Sequence, residues 1–352
     1  MSQRLPVIEL RGTPEQVGAQ WGEALRESLK NVLEQNLATI GHFHQGPRQE
    51  ILDLAQKYRP AAEAFDPELP EFLGGQARGS GLGLEEVFFL RCALEMTLYY
   101  QGLAGLCTSL ALSGPATAGG RTIIGQNADW FAGTPVHLLR IQRHDGLRQL
   151  VLSLGIAEYT LTSAGLGLCA NLTCTRPQGL HFGVPIFCYL PRVMRQATLA
   201  QALGLLCQAS RGTGYFHLAS AEGAMFGFES VFDEFNVLQP SEGVLVHANH
   251  YLTERFQKGD WGHMIFPDTY LRVRRMAELV QGRHGQITPE LAMSFLADHQ
   301  GRPSSICRHP DPALPPDMRS QSLCSFLMLP AEGVLQLCLG NPCQNKFQRY
   351  EV

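Results

Sequence analysis

The chain has 352 residues, a formal net charge of −4 at pH 7, and 17% charged and 45% hydrophobic residues. This balance is typical of a globular protein and argues against a nucleic-acid partner, which usually needs a basic face. No stretch approaches ~20 apolar residues, so we predict no membrane span. The N-terminus lacks the apolar region of a secretory signal, and the ten cysteines therefore indicate reduced thiols in a cytoplasmic protein.

The first part of the chain, residues 8 to about 104, is predicted to be mainly helical. Thr13-Pro14-Glu15-Gln16 has the pattern of a helix N-terminus, with an N-cap threonine, a proline in the first turn and a glutamine three residues after the cap. Apolar residues then recur every four positions, at Val17, Trp21, Leu25 and Leu29. A second helix is predicted from Ile51 and a third around 84–100, after a proline-rich break at 66–70.

From Cys107 onward, short β-type runs separated by glycine-containing turns predominate. The predicted strands cover 107–113, 121–130, 136–143, 148–155, 159–172, 215–221, 224–232, 235–238, 243–248, 323–329 and 334–339. Helices are predicted near 186–210, after Pro267 with Leu271, Met276, Leu279 and Val280 as apolar positions, and from Thr288. Two groups of helices around many short strands favour an α+β fold of stacked antiparallel sheets between helical layers.

A possible nucleophile lies where the predicted structure changes from helix to strand. Cys107 would begin one strand of a hairpin, and the neighbouring strand carries Asn127 and Asp129. The spacing alone supports a catalytic thiol only weakly, because most cysteines are buried and inert.

Several motifs, in order along almost the whole chain, make it similar to the isopenicillin-N acyltransferase (acyl-coenzyme A:6-aminopenicillanic acid acyltransferase) family of N-terminal-nucleophile (Ntn) hydrolases. They are Arg11–Gly18 with Gly22-Glu23, Cys107-Thr108-Ser109, Gly125–Trp130, His247–His250, Ile306–His309, Leu323–Ser325 and Cys338–Pro342. The resemblance implies a four-layer αββα sandwich in one domain, residues 1–352. It also implies self-cleavage before Cys107, after which residues 1–106 stay bound to the catalytic segment 107–352.

Self-cleavage would leave one residue carrying both nucleophile and base. A cysteine thiol has a pKa of ~8.5 and an α-amine one of ~7.7–8.0, so the amine titrates close to working pH, where a general base is most useful. One departure from the family concerns the residue before the nucleophile, which is commonly glycine and here is Leu106. Glycine tolerates strained backbone, so leucine is expected to slow the cut.

The resemblance also implies roles for four polar residues. Asn249 would donate to the oxyanion and Asp129 would hold the new α-amine, while Arg308 would pair with Asp129 or with a substrate carboxylate. Asn171 corresponds to a further strand asparagine near the nucleophile. From the residues alone, Asn249 and Asp129 are equally consistent with turn-forming roles, and Arg308 with a surface position.

Other sites are less favoured by the sequence. His247, His250 or His309 could act as the base of a papain-like site, but an Ntn enzyme needs no histidine. Cys307 and Cys324 are predicted to be core thiols. No metal site or cofactor is predicted, because the pairs His247/His250, Cys307/His309 and Cys338/Cys343 contain no Cys-x-x-Cys set.

The sequence therefore predicts an enzyme that cleaves or transfers an acyl group from a small-molecule amide or thioester through a Cys107 acyl-enzyme. Acyl-coenzyme A is one donor that the resemblance allows. The alternative is a binding or scaffold protein that keeps the fold without being processed, for which Leu106 would be the indicator.

Overall fold

The computed structural model describes residues 4–99, 106–176, 180–208 and 212–352. Fourteen strands within these ranges form two sheets. The larger sheet has the order β1-β4-β5-β6-β7-β8-β9-β10 and the smaller β11-β2-β3-β12-β13-β14. The strands are β1 Val7–Gly12, β2 Leu106–Gly114, β3 Gly120–Phe131, β4 Val136–Arg143, β5 Arg148–Leu154, β6 Ala157–Thr162, β7 Leu166–Asn171, β8 Gly214–Ser220, β9 Met225–Val231, β10 Glu234–Leu238, β11 Val244–His247, β12 Ser320–Leu329, β13 Val334–Leu339 and β14 Gln348–Glu351.

Helices flank both sheets. They are α1 Pro14–Ala24, α2 Arg26–Gly41, α3 Arg48–Gln56, α4 Arg59–Phe65, α5 Leu69–Ser80, α6 Leu84–Tyr99, α7 Ile186–Val193, α8 Leu199–Gln208, α9 Glu254–Gln257, α10 Gly262–Ile265, α11 Thr269–Gln281 and α12 Pro289–Leu296. No helix in the described ranges combines the length and apolarity needed to cross a bilayer.

Three buried clusters show how the layers stack. Trp21 of α1 packs on Leu139 of β4 on the outer face of the larger sheet, and Met276 of α11 and Phe295 of α12 pack on the outer face of the smaller one. The third and largest cluster includes the facing sides of the two sheets and the helices α2, α3 and α6. This arrangement confirms the predicted α+β, four-layer αββα sandwich.

Most predicted strands are present within two residues of their expected ends, but three details differ. Predicted strand 159–172 is two strands, β6 and β7, separated by a turn at Gly165, whose φ of 76° suits glycine. Strand β1 lies inside the region predicted to be helical and pairs in parallel with β4, so the sheets are not wholly antiparallel. In α11 the predicted apolar residue Leu271 is 62% exposed, and the buried positions are Thr269, Arg272, Met276 and Val280.

Glycines allow α1 and α5 to cross in direct backbone contact. A Cβ atom placed on Gly75 would lie 2.0 Å from the carbonyl oxygen of Glu15, and one on Gly18 would lie 2.1 Å from that of Phe72. Both distances are far inside van der Waals contact. The close crossing therefore requires glycine at these positions, because a side chain would push the helices apart, as in small-residue helix interfaces.

We expect Gly75→Ala to lower the free energy of unfolding by roughly 2 kcal/mol, because the two helices must separate to admit a methyl group. Gly74→Ala is the matched control, since the nearest atom to its new Cβ would be the end of Arg78 at 3.9 Å. In the helix interior alanine is better than glycine by ~0.5–1 kcal/mol, so the control should melt at the same or a higher temperature. Equal melting temperatures for the two variants would show that α1 and α5 can move apart without loss of stability.

Candidate active site

Cys107 is the second residue of β2, in the smaller sheet, and its side chain lies between the two sheets. It pairs with Ala128 of β3 and is 3% exposed. Its backbone N–H donates to Oδ1 of Asn249 at 3.1 Å, across 142 residues of sequence. The predicted nucleophile and the predicted oxyanion residue are therefore neighbours.

A small pocket opens beside Cys107. Its walls are mostly apolar, with Leu94, Trp130, Phe187 and Phe216 among them, and Asn171 is one of the few polar residues. An apolar wall of this kind suits an acyl chain.

Burial governs the ionisation of the thiol. Burial, followed by the nearby charge of Asp129, raises the pKa of Cys107 to about 12. Arg272 and hydrogen bonds from the Tyr159 hydroxyl and the Leu172 backbone act in the opposite direction. In the uncut chain the thiol is therefore protonated at neutral pH and needs a base before it can attack.

The side chain of Asn249 is held by three hydrogen bonds. Oδ1 accepts from the Cys107 N–H and from Nη2 of Arg272 at 2.8 Å, while Nδ2 donates to the Leu172 carbonyl at 2.9 Å. This pattern fixes which end of the amide is oxygen. The oxygen thus faces the Cys107 nitrogen, and the nitrogen faces the backbone at Leu172.

Arg272 is a site residue that the sequence did not indicate. It is 1% exposed, and Nη1 donates to the Cys107 carbonyl at 2.6 Å and to the Thr108 hydroxyl at 2.8 Å. Its Nε donates to Asp268 at 2.6 Å. The sequence did contain one indication of its burial. Arg272 lies four residues after Asp268 and four before Met276, on the face of α11 that is buried. A buried arginine must be paired, so this position pointed to a carboxylate or backbone cluster inside the fold.

Asp129 and Arg308 are brought together as an ion pair. Nε of Arg308 lies 3.7 Å from Oδ2 of Asp129, and Nη2 of Arg308 bonds to Asp268. The Ser322 hydroxyl donates to Oδ1 of Asp129 at 2.6 Å, whereas Oδ2 is buried and has no hydrogen-bond partner among the residues that the structure describes. Burial raises the pKa of Asp129 to about 6, against the opposing effects of Arg308 and Ser322. The open oxygen can accept a further donor.

Asn171, at the end of β7, lines the pocket with its amide group oriented by a chain of hydrogen bonds. The Ser109 hydroxyl donates to its Oδ1 at 2.5 Å, and that hydroxyl also contacts Nε2 of His217 at 2.8 Å. Burial lowers the pKa of His217 well below its usual value, so the ring is neutral, and its Nδ1 contacts the Tyr215 hydroxyl at 2.9 Å. Nδ2 of Asn171 is buried and has no partner in the described part of the chain, which leaves a donor for a bound oxygen.

The histidines considered for a papain-like site are occupied elsewhere. His247 is fully buried, and its ring nitrogens contact Glu229 and the Ala248 carbonyl, each at 2.9 Å. Nδ1 of His250 contacts the Thr269 hydroxyl. His309 lies beside Cys307, and Cys324 is a core thiol of β12 as predicted. None of these three histidines has a hydrogen bond to Cys107 within the described residues.

The family profile described as acyl-coenzyme A:6-aminopenicillanic acid acyl-transferase matches residues 116–344, well over half of the chain. The chain belongs to this family. Membership supports an acyl-transferring or amide-cleaving enzyme of the Ntn type. The matched range includes Asp129, Asn171, Asn249 and Arg308 and begins after Cys107.

Comparison with solved structures gives weak overall likeness. Two variants of the conjugated bile acid hydrolase from Clostridium perfringens are 11% and 12% identical, with TM-scores of 0.46 and 0.45, over 70% of this chain and 97% of theirs. Penicillin V acylase from Agrobacterium tumefaciens is 13% identical, with a TM-score of 0.43, over 66% of this chain and 82% of its own. A search of curated proteins gave no match. The roles of individual residues in this family member therefore rest on its own geometry.

Proposed function

We propose that the chain is a self-processing Ntn enzyme that forms a Cys107 acyl-enzyme with an amide or thioester substrate. The observation that carries the proposal is the clamp on the Cys107 backbone, whose N–H is bound by Asn249 and whose carbonyl is bound by Arg272. The clamp holds the nitrogen that cleavage would turn into the α-amine. Burying an arginine and an asparagine is costly unless they are paired, and their placement on this one residue favours a functional role for Cys107.

Self-cleavage would proceed as an intramolecular acyl shift. The Cys107 sulfur attacks the Leu106 carbonyl carbon as its proton passes to Asp129, the nearby carboxylate with an open oxygen. The C–N bond then breaks, and the nitrogen takes up that proton and leaves as the α-amine. Water hydrolyses the resulting thioester, which frees the thiol and gives Leu106 a carboxylate. The division of the chain into 1–106 and 107–352 follows from this step.

In the mature enzyme the α-amine of Cys107 would serve as the base. Its pKa of ~7.7–8.0 lets it take the thiol proton at neutral pH, and Oδ1 of Asn249 already accepts from the same nitrogen. The open oxygen of Asp129 would stabilise the ammonium that forms. The unpaired amide of Asn171 and the Asn249 amide are the donors available to the oxyanion, the latter once it turns from the Leu172 carbonyl.

The pocket beside Cys107 would bind the acyl portion of the substrate. Its apolar walls favour a hydrocarbon or aromatic acyl chain over a charged one. After acylation, attack by water would give a hydrolase and attack by an amine an acyltransferase. Acyl-coenzyme A is one possible donor for the second reaction.

Intact mass spectrometry of the purified protein tests the proposal. We expect two chains, one beginning at Cys107, and a mass increase confined to that chain after addition of an acyl thioester of N-acetylcysteamine. A single whole chain that takes up no acyl group would instead support the unprocessed binding protein.

Changing Leu106 to glycine should accelerate the cut. Leu106 lies within the β2 ladder opposite Asp129 and is 7% exposed, so the carbonyl under attack belongs to a buried, paired residue. Glycine lowers the strain of reaching the attack geometry. A time course of cleavage after synthesis measures the effect, with Leu106→Ala expected to be intermediate. A glycine variant that matures no faster than wild type would show that leucine imposes no barrier.

The rate of self-cleavage should rise with pH through about 6 and then level off. The expected midpoint is the raised pKa of Asp129, since only the ionised carboxylate can accept the thiol proton. The groups that set this pKa are Arg308, Ser322, Arg272 and Asp268. The Asp129→Asn variant should cleave slowly, and its cleavage rate should not rise with pH near 6. A wild-type rate that keeps rising toward pH ~9 would mean that direct ionisation of Cys107 supplies the thiolate.

A further inference from the structure

A second group of reactive side chains lies apart from the Cys107 pocket. His299 follows α12, Cys307 and His309 lie in the proline-rich segment between α12 and β12, and Cys343 follows β13. One ligand atom from each residue falls within 4.8 Å of all the others. Cys307 and His309 are buried, while His299 and Cys343 are exposed, so the cluster borders solvent.

Four of the six distances between ligand atoms in this cluster are close to those of a tetrahedral metal site. The two sulfurs of Cys307 and Cys343 are 3.7 Å apart, and Nε2 of His309 lies 3.6 Å from the first and 3.5 Å from the second. Nε2 of His299 lies 3.1 Å from Nε2 of His309. Tetrahedral zinc with bonds of ~2.3 Å to sulfur and ~2.0–2.1 Å to nitrogen requires spacings of about 3.8 Å for S–S, about 3.5 Å for S–N and about 3.3 Å for N–N.

We propose that His299, Cys307, His309 and Cys343 bind one zinc ion. A set of two thiolates and two imidazoles suits zinc better than magnesium or calcium, which prefer oxygen ligands. Binding would release the two thiol protons to solvent and leave both Nε2 lone pairs directed at the metal. Four protein ligands close the coordination sphere, so the ion would have a structural role.

A neighbouring residue already supports the ligands. Nδ2 of Asn341 donates to the Cys307 sulfur at 3.5 Å and to the Arg308 carbonyl at 2.6 Å. Hydrogen bonds of this kind orient metal ligands and stabilise thiolate charge. The sequence predicted no metal site because the ligand spacing along the chain showed no Cys-x-x-Cys set. The fold nevertheless brings the Cys307/His309 pair close to Cys343 and to His299.

The zinc ion would also fix the segment that carries Arg308. This arginine lies between the two buried ligands, and its backbone N–H donates to the Ser322 hydroxyl at 3.0 Å. The same hydroxyl donates to Asp129. Metal binding would therefore hold the guanidinium near Asp129 and Asp268, although the ion would take no part in the reaction.

Metal analysis of the full-length protein tests the site independently of processing or activity. Protein purified under reducing conditions should contain one zinc ion per chain by elemental analysis. Replacement by Co²⁺ should give the visible ligand-field bands of tetrahedral cobalt and sulfur-to-cobalt charge-transfer absorption. Cys343→Ser and His299→Gln change exposed positions, and each should reduce the zinc content to near zero at limiting metal. Cys207→Ser, at a half-buried cysteine of α8, should retain one ion.

Three results would overturn the proposal. They are wild-type protein that takes up no zinc or cobalt, zinc content unchanged in both ligand variants, and a Cys307–Cys343 disulfide in the reduced preparation. The cobalt spectrum of wild type keeps the test decisive if a variant fails to fold.

Discussion

Cys107→Ala should leave the chain whole and remove all acylation by a thioester probe. Cys107 is the only cysteine among the described residues that line the apolar pocket, and alanine fills most of the same space. Cys324→Ala is the matched control, because Cys324 is another fully buried thiol, on the strand β12 that pairs with β3. Gel and mass analysis of both variants after the same incubation makes the comparison.

The control should be processed and acylated like wild type. If Cys107→Ala is cut at the same bond and rate as wild type, the cleavage is carried out by a contaminating protease or another group. If both alanine variants stay whole, loss of core packing rather than loss of the nucleophile would explain the result.

Asn249→Ala should lower turnover of fully processed enzyme by roughly 10²–10³-fold, the usual cost of removing one oxyanion donor. The structure adds a second reason, since this side chain also accepts from the Cys107 nitrogen and from Arg272. Cleavage itself should slow as well, so the rate must be measured on the processed fraction. Single-turnover acylation of Cys107 by the thioester probe is the appropriate assay.

Asn249→Asp separates the two functions of the side chain. It keeps an acceptor for the Cys107 nitrogen and Arg272 but removes the N–H donor. A large loss of acylation in both variants would support the oxyanion role, whereas a loss confined to alanine would assign Asn249 to holding the amine. Wild-type rates in both would remove Asn249 from catalysis.

The strands after Cys107 could be predicted well because alternating residues and glycine turns are local signals. Strand β1 could not, since six residues beside a strong helix signal become a strand only by pairing with β4, more than a hundred residues later. The helices α4 and α5 were hidden by prolines that fall in their first turns, where proline is tolerated.

The candidate site shows the same limit. The family resemblance pointed to Cys107, Asp129, Asn171, Asn249 and Arg308. In the fold, Cys107 bonds to Asn249 and lines one pocket with Asn171, and Asp129 is paired with Arg308. Arg272 and the His299–Cys343 cluster were missed, because a helix stripe and a loop reveal their partners only after folding. Such contacts join residues that are far apart in the sequence, so residue type alone does not reveal them.

The described residues 4–99, which precede Cys107, contribute to the core of the protein. Strand β1 is an edge of the larger sheet, and Leu33 and Phe88 of the N-terminal helices are fully buried in the same cluster as Tyr159 and Phe326. The proposed cut would therefore convert one chain into an interlocked heterodimer that could not reassemble by unimolecular refolding. The uncut chain would reach the native state reversibly, and the mature one, once denatured, would recover only at a rate that depends on concentration. The cut would thus record that folding had succeeded, because its clamp joins Cys107 to residues 142 and 165 positions away and cannot exist in an unfolded chain.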